Sequence, residues 1–176
     1  MTETSLSKRR PDPAPAFCGA IDMRIQKDGT WLYRGSPIGR KEMVCLFASV
    51  LTRHEDGSYW LVTPSEMACI EVEDVPFLAV ELFSCGSGRD RVVSLRTNID
   101  ELVTVDDMHP LRIATDPKTG EQIPYVWVRD GLEARLSRPV YYELVSLGHE
   151  EATTEGNQFG LWSSGSFFPL GSLEEA

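Results

Sequence analysis

The chain has 176 residues, 41% apolar and 25% charged, an ordinary globular composition that can bury a core as one domain or two small ones. Its formal charge of −10 argues against long nucleic acids, whose recognition rests on clustered Lys and Arg. A small anion remains open to it, because a few local cations can hold one inside an acidic protein.

Residues 1–16 carry Lys8, Arg9, Arg10 and three prolines with no apolar run behind the charges. They read as a disordered tail, not a signal peptide, and no later stretch approaches membrane-spanning length. A cytoplasmic protein that does not engage membranes is expected. Ile21–Ile25 alternates apolar and polar residues as a half-buried strand does. Lys27-Asp28-Gly29 then turns the chain into a return strand over Thr30–Arg34. Ser36 offers an N-cap oxygen and Pro37 suits a first helical position, so a helix is expected from there to about Arg53. Met43, Phe47, Val50 and Leu51 form its apolar stripe, with Val44 beside it. Asp56-Gly57 closes this element, and Ser58–Thr63 returns as a strand.

Beyond Thr63 the pattern is β. Strands are expected at Ala68–Val72, Phe77–Phe83, Arg91–Thr97, Leu102–Val105, Leu111–Ala114, Pro124–Val128 and Leu132–Leu136. A short helix, Pro139–Leu147, ends at Gly148. An acidic loop follows through Glu150, Glu151 and Glu155, and the last hairpin pairs Phe159–Trp162 with Phe167–Leu170. The fold class expected is α+β, mostly β: a small α+β unit over 17–76 and a mostly β unit over 77–176.

Two stretches resemble each other. Asp28-Gly29, a strand, Arg34, Ser36-Pro37 and a helix are echoed by Asp130-Gly131, a strand, Arg135, Ser137, Pro139 and a shorter helix. They suggest a duplicated strand–turn–helix–strand motif and two units sharing an interface. Each copy sets an Arg-x-Ser just before a helix start, where unpaired N–H groups and a partial positive charge favour an anion. A guanidinium there adds a forked donor. The candidate ligand site is therefore Arg34, Ser36, Arg40, Arg135 and Ser137, with Glu66 and Asp74 near the domain boundary to orient the cations or accept from a base or ribose. The competing reading is that these arginines solvate outward strand faces.

Other motifs carry less. Gly86-Ser87-Gly88 precedes a strand, not a helix, so it is a hairpin turn, not a phosphate loop. His54-Glu55-Asp56 sits where a helix should end and reads as a turn. Cys18, Cys45, Cys69 and Cys85 form no C-x-x-C pair, so no metal is expected and the thiols should pack as small hydrophobes, Cys85 being the candidate for exposure. No serine lies in a nucleophile elbow. The tryptophans with Tyr141 and Tyr142 fit an apolar seam between units better than a base-stacking platform.

Ile21-Asp22-Met23, Asp28-Gly29-x-Trp31, Gly35-Ser36-Pro37-Ile38, Thr63-Pro64-Ser65-Glu66, Val72-Glu73-Asp74-Val75-Pro76-Phe77 and Ser166-Phe167-Phe168-Pro169-Leu170-Gly171, in that order, resemble the bacterial family known as domain of unknown function 1285. The resemblance runs from about Cys18 to Gly171. It implies a duplicated core, a C-terminal unit like a pleckstrin-homology barrel, a nucleotide-like ligand between the units and a part in signal transduction, with no cofactor. Met67 departs from the basic residue expected after the Thr-Pro-x-Glu stretch. The function expected is a regulatory protein that binds a small anion, possibly a nucleotide; the alternatives are an enzyme acting on a phosphorylated metabolite and a protein-interaction module.

Overall fold

The computed structural model describes residues 14–172, so residues 1–13 of the tail expected over 1–16 lie outside the described residues, and Ala16 already opens the first strand. The fold is mostly β, 53% strand, with one sheet curled into a half-barrel. The first unit is built from β1 (Ala16–Ile25), β2 (Trp31–Tyr33), β3 (Ser36–Pro37), α1 (Lys41–Ser49), β4 (Leu51–Arg53), β5 (Tyr59–Val62) and β6 (Glu66–Val72). The second is built from β7 (Phe77–Cys85), β8 (Val92–Thr97), β9 (Leu102–Thr104), β10 (Leu111–Thr115), β11 (Gln122–Arg129), β12 (Leu132–Leu136) and α2 (Arg138–Ser146). A third, three-stranded sheet closes the chain with β13 (His149–Thr153), β14 (Gly156–Ser163) and β15 (Ser166–Ser172).

The first six-stranded sheet runs β3-β2-β1-β6-β5-β4 and the second β10-β11-β12-β7-β8-β9. In each, two antiparallel three-strand meanders meet at a single parallel pairing, β1 with β6 and β7 with β12. Laying β1 through β6 onto β7 through β12 in order makes the two topologies identical. The duplication is thus real, and its unit is the whole sheet. The two Asp-Gly hairpins fall at different places in it, one joining the first and second strands, the other the fifth and sixth.

Local chemistry explains where the elements differ from expectation. Arg34 and Gly35 both have positive φ (49° and 77°), the two-residue turn whose twist suits a hairpin. The chain therefore folds straight back, and Ser36-Pro37 pairs with Tyr33 and Leu32 instead of starting a helix. Proline is tolerated there because β3 is an edge strand. The helix begins only at Lys41, with Arg40 as N-cap, and stops at Ser49. Leu51–Arg53 leaves it to pair with Tyr59–Leu61, so His54–Asp56 closes a hairpin and not a helix. The acidic stretch after Gly148 is likewise the strand β13, paired across to Gly156–Gly160.

A single cluster of buried side chains runs through all three sheets, including Ile25 and Trp31 of the first, Phe77, Leu95 and Leu132 of the second, Leu144 of α2 and Leu161 of the last hairpin. The two units share that core, which fixes the seam between them. None of the cysteines is fully buried: Cys18 and Cys85 are exposed and Cys45 and Cys69 part-buried. Both exposed thiols lie near strand ends, Cys18 at the start of β1 and Cys85 at the end of β7, so they do not pack as the small hydrophobes expected.

Candidate functional site

The seam is organised by one turn and one linker. In the turn after β1, the Gln26 N–H donates to Thr30 O (2.9 Å) and the Gly29 N–H to Gln26 O (3.0 Å). The Thr30 N–H donates to Asp28 Oδ1 at 2.9 Å, which holds the Asp28 carboxyl below the usual carboxylate range. Asn98 of the second unit clamps this turn. Its Nδ2 donates to Gly29 O (3.1 Å), and its Oδ1 accepts from the Leu78 N–H (3.0 Å). Gly29 has φ +83°, and an added Cβ would stand 2.7 Å from Asn98 Nδ2, so glycine is required twice over.

The linker, residues 73–76, joins β6 to β7. The Lys27 N–H donates to Glu73 Oε2 at 3.1 Å. Asp74 accepts from the Tyr125 hydroxyl at 2.9 and 3.0 Å and lies 3.3 Å from Arg135 Nη1. Register places Arg112, Tyr125 and Arg135 side by side across β10, β11 and β12, on one face of the sheet. The Arg112 guanidinium lies over the Tyr125 ring (4.2 Å to its centre) and donates twice to Glu133, at 2.6 and 2.8 Å. Burial, together with the bond to Asp74, pushes the Tyr125 phenol up to about 12.

Between the turn and the start of α2 lies an open cleft of about 360 Å³ with walls from both units. Leu78, Pro124 and Leu136 are its apolar lining residues, and Tyr141 and Gln122 also line it. Lys27, Arg135 and Arg138 bring positive charge to it and Asp28 and Glu121 negative charge, with Glu121 3.6 Å from Arg138. Ser137 is the N-cap of the nine-residue α2 and makes no side-chain cap bond. Its carbonyl accepts from the Tyr141 N–H (2.9 Å) and its N–H donates to Ala79 O (3.0 Å). Pro139 has no N–H, so the first turn leaves those of Arg138 and Val140 without an intrahelical partner, and the end of α2 adds a partial positive charge. On the other side of the same turn a second cleft, about 240 Å³, is lined by Gly29, Trp31, Asn98 and, at the start of α1, Gly39 and Lys41.

The sequence-derived site is therefore divided. Arg135 and Ser137 line the inter-unit cleft, and Asp74 touches Arg135 from behind. Arg34 and Ser36 do not join them: both are exposed at the β2–β3 turn, the far end of β2 from Gly29, with the Arg34 guanidinium 5.2 Å from its neighbour Tyr33's ring. Arg40 is exposed at the N-cap of α1, beside the second cleft. Glu66 opens β6, at the opposite end of that strand from Asp74, and lines a small apolar hollow with Cys18 and Phe47. Sequence reasoning missed Lys27, Asp28, Glu121, Gln122, Arg138 and Tyr141. Lys27-Asp28 and Arg138 each adjoin a turn or cap already recognised, which was the one available signal. Among the described residues no group of His, Cys, Asp and Glu is placed to hold a metal.

Residues 12–75 match the N-terminal domain of the domain-of-unknown-function family DUF1285, and residues 76–170 match its C-terminal domain, a protein of unknown function. The chain belongs to the DUF1285 family. A solved DUF1285 protein from Silicibacter pomeroyi is similar to it at 48% identity, with a TM-score of 0.84 over 90% of this chain and 84% of that one. A second, from Shewanella baltica, is 28% identical with a TM-score of 0.56, covering 72% of this chain and 91% of the other. No curated protein matches the chain. Among the described residues no helix of this DUF1285 protein is long and apolar enough to cross a membrane.

Proposed function

We propose that this DUF1285 protein is a regulatory binding protein that holds a small anionic, nucleotide-like molecule in the cleft between its two units, with a part in signal transduction. The observation that carries this reading is the convergence of Lys27 from the first unit with Arg135, Arg138 and the start of α2 from the second on one cleft of about 360 Å³. That volume is in the range of small-molecule sites, and its mostly polar and charged lining suits a charged ligand. In this reading the anionic group lies against the α2 start and the remainder of the ligand against Tyr141 and Gln122.

The test is calorimetric titration of the whole chain with orthophosphate, pyrophosphate and nucleoside monophosphates. Lys27→Ala and Arg138→Ala should each weaken binding about tenfold, the loss of one charge-assisted contact. Arg34→Ala, at the remote β2–β3 turn, serves as the control. Equal affinity in Lys27→Ala and the unaltered chain would remove the cleft from consideration.

A further inference from the structure

The three cations of the cleft are balanced by three carboxylates, Asp28 and Glu121 in its lining and Asp74 in contact with Arg135. A site with this balance resists a highly charged anion unless one of the carboxylates gives way. Glu121 lies 3.6 Å from Arg138 in an exposed pair that holds neither group firmly, so the contrast that bears on Arg135 is between two less exposed arginine–carboxylate pairs on one sheet face. Arg112 holds Glu133 with two bonds of 2.6 and 2.8 Å, the short forked geometry of a strong pair. Arg135 reaches Asp74 through one nitrogen only, at 3.3 Å. Asp74 does not depend on that contact, because the Tyr125 hydroxyl holds it separately. Arg135 can therefore leave without stranding the carboxylate, and it already lines the cleft.

We propose that Asp74 is an internal competitor for Arg135, lowering the cleft's affinity for multiply charged anions and giving way when one binds. The proposal rests on the anion-binding reading above. Because Asp74 belongs to the linker between the units, releasing Arg135 loosens one of the linker's ties to the second unit. Occupancy of the cleft is thereby communicated to the seam.

An orienting role for Asp74 predicts weaker binding when its charge is removed; a competing role predicts the reverse. The whole chain and its Asp74→Asn and Tyr125→Phe variants are titrated with pyrophosphate and orthophosphate, with circular dichroism to establish folding. Removing a carboxylate this close to the ligand should tighten pyrophosphate binding on the order of tenfold in Asp74→Asn. The gain for orthophosphate should be smaller. Tyr125→Phe, which leaves Asp74 to Arg135 alone, should not tighten it. Binding by the unaltered chain that is equal or weaker in Asp74→Asn overturns the competitor and leaves the cleft reading standing; binding by none of the three overturns both. Hydrogen exchange of residues 73–76 in the unaltered chain gives a readout independent of any variant. Saturating pyrophosphate should speed it, and protection would overturn the proposal.

Discussion

Replacing Gly29 by alanine tests whether the seam is built as described. The left-handed backbone at φ +83° costs a non-glycine residue about 1–2 kcal/mol. The new Cβ would also lie 2.7 Å from Asn98 Nδ2 and 3.2 Å from Leu78 Cβ, an overpacking worth about 1–3 kcal/mol. Together Gly29→Ala should destabilise by about 3 kcal/mol, a fall in Tm of about 6–12 °C for a chain of this size. Asn98→Ala removes one hydrogen bond between the units and one within the second unit, and should cost about 2 kcal/mol. It also removes the atom that the new Cβ meets first. The double variant should then be less damaged than the two single costs combined, by about 1 kcal/mol in a cycle of urea-unfolding free energies. Strict additivity would show that Asn98 does not confine the turn, and the separation of the two clefts by that turn would lose its physical basis.

Tyr125 should titrate near pH 12, followed as tyrosinate absorbance and absent in Tyr125→Phe. Its folded value lies above the unfolded one, so its contribution is complete below about pH 10 and is lost as pH rises toward 12, by about 2 kcal/mol in all. Unfolding free energies that stay level across that window would contradict the burial assigned to the phenol. Arg112→Ala leaves Glu133, 8% exposed, without its forked partner and should cost about 3 kcal/mol, whereas replacing both residues by apolar ones should cost less. In native protein Cys18 and Cys85 should alkylate rapidly and Cys45 and Cys69 only on unfolding, as peptide mass spectrometry would resolve.

The strands after Thr63 were legible because alternation is a strong local signal: β7, β8, β10 and β12 lie within two residues of their expected ends. The first helix was misread for an equally local reason. Ser36-Pro37 has the chemistry of a helix start, and nothing in a linear pattern reveals that Arg34 takes a left-handed conformation and turns the chain back first. The cleft was half legible. Arg135 and Ser137 were found because α2 begins where the residues say it should, with Ser137 as its N-cap. Lys27 lines this cleft only because β1 and β6 run parallel and bring its turn to the linker, a long-range pairing that no spacing in the sequence encodes.

The two Asp-Gly hairpins look alike through shared turn chemistry and not through shared descent. Asp130 and Gly131 both have positive φ, whereas in the earlier pair only the glycine does. The register of the duplication is instead recorded by two backbone hydrogen bonds. At the end of β6 the Glu73 N–H donates to Ile25 O at 2.9 Å, and at the end of β12 the Ser137 N–H donates to Ala79 O at 3.0 Å. Val72 pairs with Ile25 and Leu136 with Ala79 in the parallel ladders that precede them. Glu73-Asp74 and Ser137-Arg138 are therefore the same place in the two copies. One copy continues there as a linker bearing two carboxylates, and the other as a helix start bearing a cation. Across the seam the linker's Asp74 meets Arg135, just before that helix start, at 3.3 Å, so a carboxylate at the end of one copy's sheet ties to a guanidinium of the other copy.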